Sequence, residues 1–507
     1  MFAVTVNSNL LGERLDAGFY RPTFLSMEKA LREKGAVRLE TLVDSVACGP
    51  FGGNAIADDL YARDGVAFIR PVNISSHVFD DSSLVRVPKK NLAANGLKIY
   101  QGTNIYFGRV GDPCVAIIEG ESSISPNIII ACTKGDLADP YYIYSFSTSS
   151  FGLQQLKRQL KTVAQPTTST DAIRELLVFK PENAAQKYIG DKVRQAERLR
   201  AWAKLAETQV NQYHKALVPQ QSGLDFAKRV RLVSPARMSE RLDAHFYPGV
   251  VDEYLRLHQG KFKPLGKLCA TIYNGQTQPQ SESSQSCKQI TVTNLSSSFL
   301  GGSPRDVEAP GKKEKFLKAY DILMCNAAHN KSYIGKDLTF VHSEAAILPS
   351  TEVMTIRVDR NQVPASYVRA YLLTKLGYVQ IQSTIRGITA HSYPDDMALL
   401  DIYVPDVADK DKEEWFACDE KLALAGIACE VATQLTNAAK LLVEALIEGQ
   451  LTEAELIAAE QALQAGNDQL DRRVLNRLKT DGIDGQGPAL FGDLDELYHL
   501  LTQAEGD

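Results

Sequence analysis

No stretch of the sequence approaches the roughly 18 consecutive apolar residues that a membrane-spanning helix needs, and the first twenty residues show no charged segment followed by an apolar run. The eight cysteines never form a Cys-x-x-Cys pair, which argues against a zinc ribbon or a disulfide framework. None of the eight histidines stands at metal-ligand spacing from another His, Cys or Glu. These absences favour a cytoplasmic protein that binds no metal.

Motifs of self-contained catalysis are also missing. An adenine methyltransferase needs an acidic-Pro-Pro-aromatic tetrapeptide to hold a flipped base and a glycine-rich turn for its cofactor, and neither is present. Residues 107–113 come nearest to a phosphate-binding loop, but they lack the spacing and the Lys-Ser/Thr pair of a P-loop and are more simply a turn. We therefore expect no catalytic residues in this chain.

The sequence does contain an internal repeat. Residues 13–20 and residues 240–247 both read Glu-Arg-Leu-Asp-Ala-x-Phe-Tyr, so seven of eight positions are identical at a separation of 227 residues. Two leucines and a glycine then recur at matching spacing, namely Leu39, Leu42 and Gly49 in the first copy and Leu265, Leu268 and Gly275 in the second. This pattern indicates a tandem duplication. Because the motif precedes the divergent part of each copy, we interpret it as part of a structural frame.

Each copy continues with short apolar or alternating runs, which predict β-strands. These runs are residues 66–70 and 104–108 in the first copy and residues 288–292 and 321–325 in the second. The copies return to register at residues 140–181 and 364–405. Each of these segments is predicted to begin with a tyrosine-rich helix (residues 141–160 and 367–383) and to end in a short strand.

A helical period with a narrow apolar seam follows each copy. We expect the two seams to pack against each other. The sequence thus predicts an α+β chain with two β-rich modules (residues 1–181 and 219–405), each followed by a long helix (residues 182–218 and 406–453), and a helical acidic tail (residues 454–507). The clearest seam covers residues 189–213 and would be roughly 37 Å long at ~1.5 Å per residue, close to the ~34 Å of one DNA turn.

Polar loops in the two copies suit recognition of DNA better than catalysis. The net charge of −5 argues weakly against a protein that coats nucleic acid, but basic side chains occur in local groups. Reading base edges requires long or forked polar side chains, with Lys or Arg directed to phosphates. The candidates in the first copy are Arg70, Asn73, Lys89, Lys90, Arg109, Lys157, Arg158, Lys161, Gln165, Thr167 and Thr168. Those in the second copy are Gln276, Gln278, Asn294, His329, Asn330, Lys331, Arg386, Thr389 and His391. Any one of them is as readily a solvated surface residue, but the recurrence of such loops in both copies is the stronger signal.

The duplicated organisation, the Gly-Pro-Phe-Gly turn at residues 49–52 and the end of the second long helix at residues 442–452 resemble the specificity (S) subunit of type I restriction-modification systems over nearly the whole chain. The resemblance implies a non-catalytic reader of double-stranded DNA. Two target recognition domains would each contact one half of a bipartite, asymmetric target, and the two long helices would form an antiparallel coiled coil that spaces them and docks DNA methyltransferase subunits. The docking candidates are Leu199, Ala203, Val210, Leu435 and Leu442.

The same resemblance implies that this chain holds no cofactor. S-adenosylmethionine would belong to the partner adenine-N6 methyltransferase, and ATP to a restriction or translocase subunit where one is present. Three alternatives stay open: the recognition subunit of another DNA modification or phage-defence assembly, a self-contained restriction or modification enzyme, and a coiled-coil scaffold without a DNA role.

Overall fold

A computed structural model describes residues 14, 16–50, 56, 58–160, 166–227, 233, 235–238, 241–258, 260–281, 286–311 and 314–506. The chain divides into two compact units. Unit 1 contains residues 1–198 together with residues 431–506, and unit 2 contains residues 199–430.

The core of unit 1 is built on two small sheets. The four-stranded antiparallel sheet has the order Val43–Cys48, Ile128–Thr133, Asn104–Gly108, Val115–Ile118. The three-stranded sheet has the order Val85–Val87, Val66–Ile69, Ser122–Ile124, and its last pair is parallel. Most of these strands are short continuous apolar runs because they are buried on both faces, as Ile69, Tyr106 and Ile130 illustrate.

Five helices of unit 1 accompany these sheets: Pro22–Glu33, Lys89–Ala94, Pro140–Thr148, Ser150–Gln159 and Thr170–Arg174. The prediction of a single helix at residues 141–160 was wrong, because the structure has two helices there. The chain turns at Ser149, whose hydroxyl accepts a hydrogen bond from the Gly152 amide (3.3 Å) and caps the second helix.

Unit 2 repeats this arrangement. Its four-stranded sheet has the order Cys269–Asn274, Val353–Val358, Ile322–Cys325, Leu338–Phe340, and its three-stranded sheet has the order Arg305–Glu308, Ser286–Ile290, Ile347–Pro349. The helices are Gly249–Leu257, Ala365–Leu372, Lys375–Ser383 and Pro394–Ala398. The predicted helix at residues 367–383 is again split, here at Thr374, which accepts from the Gly377 amide (3.1 Å). The predicted α+β fold with two β-rich modules is confirmed.

A two-stranded antiparallel pair joins the beginning and end of each module, and we call this pair the clasp. The clasp of unit 1 pairs Val37–Arg38 with Leu177–Val178, and that of unit 2 pairs Phe262–Pro264 with Asp401–Tyr403. In unit 1 the Gln155 side chain also donates to the Leu177 carbonyl (2.9 Å) and accepts from its amide (2.8 Å). Gln380 makes the same two bonds to Asp401 in unit 2 (3.1 and 2.9 Å). Both ends of each module are therefore held side by side.

A long helix follows each module, as predicted. The first, Asn183–Leu217, has 35 residues, and the second, Lys412–Glu448, has 37. The first is ten residues longer than the apolar seam indicated and spans about 52 Å. Its N-terminal part belongs to unit 1 with the C-terminal part of the second helix, and the remaining parts belong to unit 2, where Lys421 donates to Gln209 (2.6 Å). The N-terminal part of one helix therefore shares a unit with the C-terminal part of the other, as is expected of antiparallel helices.

The acidic tail is folded into unit 1. It forms the helices Glu453–Gln464, Gln469–Arg477 and Leu494–Gly506, with a small strand pair, Leu478–Lys479 and Gly482–Ile483. Asp471 of the tail is 1% exposed and accepts hydrogen bonds from Tyr188 (2.5 Å) and Lys192 (2.7 Å) of the first long helix. The tail therefore packs as part of the unit 1 core.

Candidate nucleic-acid interface

The repeated motif forms the same small cluster in both units. In unit 1 the Arg14 guanidinium donates to Asp16 (2.8 Å) and lies 4.8 Å from the centre of the Phe19 ring. The Tyr20 hydroxyl donates to the Arg14 carbonyl (2.6 Å). Glu13 and Leu15 lie outside the described residues.

In unit 2 Arg241 donates to both oxygens of Asp243 (2.6 Å each) and lies 4.5 Å from the centre of the Phe246 ring. The Tyr247 hydroxyl donates to the Arg241 carbonyl (2.7 Å). The hydrogen bonds from Arg241 hold the pKa of Asp243 below its ordinary value. In both copies the Arg-Asp pair fixes local backbone, which agrees with the interpretation of the motif as frame.

Two asparagines among the candidate DNA contacts are buried in equivalent turns. Asn73 is 0% exposed; its side chain accepts from the Arg70 amide (3.0 Å) and donates to the Asp80 carbonyl (3.0 Å). Asn294 is 4% exposed, accepts from the Thr291 amide (2.9 Å) and donates to the Gly301 carbonyl (2.9 Å). Their assignment to DNA stays a prediction, and it would require these hydrogen bonds to break.

Arg158 is also held inside unit 1. It donates to the Phe19 carbonyl (2.9 Å) and pairs with Glu28 (2.5 Å), and its side chain is only 10% exposed. Burial raises the pKa of Glu28, but the hydrogen bonds and charges of Arg158 and Arg32 outweigh that effect and leave the pKa below its ordinary value. The structure thus gives Arg158 a place in the frame.

Other candidates of unit 1 lie around the end of strand Asn104–Gly108. Val110 forms an isolated antiparallel bridge with Thr167, and the buried Thr168 donates its amide to the Arg109 carbonyl (2.8 Å). The structure therefore brings Arg109 together with Thr167 and Thr168. Lys161 and Gln165 lie outside the described residues.

The remaining unit 1 candidates are basic residues away from this bridge. Arg70 donates to the Ser83 carbonyl (2.6 Å), and Lys89 pairs with Glu121 (2.7 Å). Lys90 and Lys157 are exposed.

In unit 2 an equivalent pairing brings six candidates together. The two-residue strand Ala327–Ala328 pairs with Ala390–His391, and the Ser392 amide donates to the Asn326 carbonyl (2.8 Å). The adjoining loops therefore meet at one surface, which we call the His391 surface. It comprises His329, Asn330, Lys331, Arg386, Thr389 and His391, of which His391 is half-buried and the others are exposed.

Sequence reasoning missed two exposed residues beside these side chains. Tyr393 stacks on His391 with ring centres 6.3 Å apart and is 44% exposed, and Ile388 is fully exposed between Arg386 and Thr389. The sequence offered a signal for Ile388, because an apolar residue preceded by Arg-Gly in a polar loop is unlike the buried runs of the frame. Nothing in the sequence indicated that Tyr393 would be exposed, since most tyrosines nearby are buried.

The two glutamines that follow strand Cys269–Asn274 lie elsewhere. Gln276 donates its amide to the Pro349 carbonyl (3.0 Å), and its own carbonyl accepts from the Gln289 side chain (2.9 Å). The side chains of Gln276 and Gln278 are half-buried.

The five docking candidates on the long helices are buried within the chain. Their exposed fractions range from 0% to 2%. The list is Leu199, Ala203, Val210, Leu435 and Leu442. They lie on the two apolar seams predicted from their spacing, one on each long helix, and their side chains therefore offer no surface to another subunit in this structure. Docking through them stays a prediction that would require the seam to open.

The described residues contain neither a metal-binding cluster nor a membrane-spanning helix. No cluster of three or more His, Cys, Asp or Glu side chains there has a geometry that could hold a metal ion. No helix in that part of the chain is long and apolar enough to cross a membrane.

Neither a protein-family model nor a curated protein matches the sequence. Among solved structures, the chain is similar to a type I restriction-modification system S subunit from M. genitalium, with 12% identity and a TM-score of 0.36, covering 84% of this chain and 95% of that one. It is also similar to an HsdS subunit from Thermoanaerobacter tengcongensis, with 15% identity and a TM-score of 0.26, covering 82% of this chain and 96% of that one. Over most of its length, the chain is thus similar to S subunits of type I restriction-modification systems.

Proposed function

We propose that this protein is a non-catalytic subunit that recognises a bipartite, asymmetric DNA sequence and directs a partner adenine-N6 methyltransferase to it. One observation carries the proposal: the two units repeat one frame but present different side chains at the same place on it. The bridge in unit 1 joins Val110 and Thr167, whereas the equivalent pair in unit 2 joins Ala327 and His391.

A shared frame with divergent surface residues suits recognition of two different half-sites. Side chains that read base edges must be held by a rigid scaffold, and sequence preference can change only if the readers change while the scaffold stays. Exposed Lys331 beside Asn330 and Thr389 supplies the mixture of a cation and hydrogen-bonding groups that phosphates and base edges require. Because the two surfaces differ, we expect the half-sites to differ.

The partners follow from the family that the sequence resembles. The methyltransferase would hold S-adenosylmethionine and carry out the reaction, and a nuclease or translocase subunit, in systems that have one, would hold ATP. This chain would hold neither cofactor and would act in the cytoplasm, where the DNA and the partner subunits are.

Methylation mapping tests the proposal most directly. Adenine methylation is mapped across the genome of a host that carries the partner methyltransferase, with and without this chain. We expect a split motif that appears only with the chain. Replacing residues 265–400 with the corresponding segment of an unrelated recognition module should change one half of that motif. Identical methylation with and without the chain would refute the proposal, and an unchanged motif after replacement would favour a scaffold.

A binding measurement separates phosphate contacts from structural effects. Lys331→Ala should weaken binding of the copurified complex to every duplex and reduce the slope of log affinity against log salt by about 1. Lys410→Ala removes another exposed lysine of unit 2, located before the second long helix, and should leave the slope unchanged. Equal effects of the two substitutions would contradict the placement of DNA on the His391 surface.

A further inference from the structure

Residues 386–391 of the His391 surface form a hairpin. Arg386 and His391 exchange both backbone hydrogen bonds, with N–O distances of 2.8 and 3.1 Å, and Gly387 adopts the left-handed conformation at φ 80°. Ile388 lies between Arg386 and His391 and has a relative exposure of 107%. The hairpin thus presents an isolated branched apolar side chain to solvent.

The base of this hairpin is fixed from several sides. Arg386 donates from Nε and Nη2 to the two carboxylate oxygens of Asp396, whose side chain is 2% exposed. The Nδ1–H of His391 donates to the Thr389 carbonyl (2.7 Å), and strand Ala390–His391 pairs with Ala327–Ala328. A braced hairpin loses little conformational entropy when its tip is covered, which favours recognition by the tip.

The width of the hairpin selects the groove that it fits. Two paired strands lie ~4.8 Å apart before side chains are added, so a hairpin fits the ~12 Å major groove of undistorted B-DNA better than the ~6 Å minor groove. In the major groove the apolar feature of the bases is the C5-methyl group of thymine. The exposed neighbour Thr389 is compatible with a base edge or a phosphate beside such a contact.

We propose that Ile388 reads the methyl group of one thymine in the DNA half-site bound by unit 2. This inference rests on the proposed function, since it presupposes sequence-specific DNA binding. It adds the chemical feature that is read, the groove and the residue that reads it.

The test uses the full-length chain in the complex that copurifies with it. Selection from random 40-base-pair duplexes first yields the consensus. Each thymine of the consensus is then replaced by uracil, which lacks only the methyl group, and affinity is measured for wild type, Ile388→Ala and Leu257→Ala. Leu257 is 61% exposed on the helix Gly249–Leu257 and serves as the matched control.

We expect one thymine at which uracil weakens wild-type binding about fourfold, the value of one buried methyl group. Ile388→Ala should abolish that preference, while Leu257→Ala should keep it. Equal binding of uracil and thymine duplexes by the wild type, a unit 2 half-site without thymine, or an undiminished preference in Ile388→Ala would each overturn the inference. Failure to obtain any consensus would instead refute the proposed function.

Discussion

Lys192 and Asp471 form an ion pair of 2.7 Å in the interior of unit 1, with side chains that are 1% and 2% exposed. Asp471 also accepts hydrogen bonds from Tyr188 and Tyr498, both at 2.5 Å. Burial raises the pKa of Asp471, but the charge of Lys192 and these hydrogen bonds outweigh it, so the pKa lies below its ordinary value. This cluster ties the tail to the first long helix.

Asp471→Asn should therefore destabilise unit 1 strongly. The substitution leaves the Lys192 ammonium buried without its counterion, a change that typically costs about 3–5 kcal/mol of unfolding free energy. The measurement is urea unfolding at pH 7. Asp495→Asn, in the same tail, removes a carboxylate that is 87% exposed and pairs with Arg472, and should cost at most about 1 kcal/mol. Similar losses in the two variants would contradict the importance of the buried pair.

His214 should make the stability of unit 2 depend on pH. Burial lowers its pKa to about 4, and its Nε2 lies 2.9 Å from the Ser366 hydroxyl oxygen. The unfolded chain binds this proton below its ordinary pKa of about 6.5, whereas the folded chain does so only near 4. Protons therefore favour unfolding in this window: the stabilisation is complete above pH 6.5 and declines as pH falls toward 4.

The expected loss between pH 7.5 and pH 5 is about 2 kcal/mol for this one histidine. Urea unfolding at both pH values measures it, with His214→Leu as the comparison, since that variant lacks the titrating group. We expect the variant to lose about 2 kcal/mol less than the wild type over this interval. The same pH dependence in both proteins would show that His214 is not the source.

Gly275 should resist substitution because of its position at the end of strand Cys269–Asn274. A Cβ atom there would overlap the backbone carbonyl groups of Pro349 and Ser350. Gly275→Ala should lower the unfolding free energy by about 1–3 kcal/mol, as overpacking of a tight site does. Gly301→Ala is the control, because a Cβ at Gly301 meets no atom within 4 Å. Thermal unfolding of the two variants measures the difference, and equal midpoints would be the contrary result.

Arg241→Ala should reduce stability without changing the DNA sequence that is recognised. The side chain is 7% exposed and bonds Asp243 and the Thr384 carbonyl (3.1 Å), so its removal should cost about 2–3 kcal/mol. The checks are urea unfolding and selection from random duplexes at a temperature where the variant stays folded. A changed consensus would contradict the assignment of the repeated motif to the frame.

The sequence predicted the duplicated frame well, because its signals are local and occur twice. Leu39 and Leu265 are both fully buried at the matching positions, and strand Asn104–Gly108 has the predicted bounds. The first long helix was predicted at residues 182–218 and is found at Asn183–Leu217, although its regular apolar seam covers only residues 189–213. Amphipathic spacing identifies the residues that a helix buries. It does not by itself locate helix ends that lie outside the apolar seam.

Some of the side chains that were predicted to contact DNA are largely buried in the structure. Asn73, Asn294 and Arg158 have the kinds of side chain that read bases. A sequence does not distinguish a polar side chain that holds a turn or the frame from one that reads a base. The grouping of Lys331 with Arg386 depends on the strand pair Ala327–Ala328 with Ala390–His391, which is only two residues long and has no sequence pattern of its own.

The clasp has an evolutionary consequence. Because Val37–Arg38 pairs with Leu177–Val178, the chain enters and leaves the first module at adjacent points, and the same holds in unit 2. Insertions, deletions or replacement of the intervening segment therefore leave the ends of the long helices where they were. Recombination between related genes at the clasps would exchange one module as a unit in a single event and leave the other module unchanged.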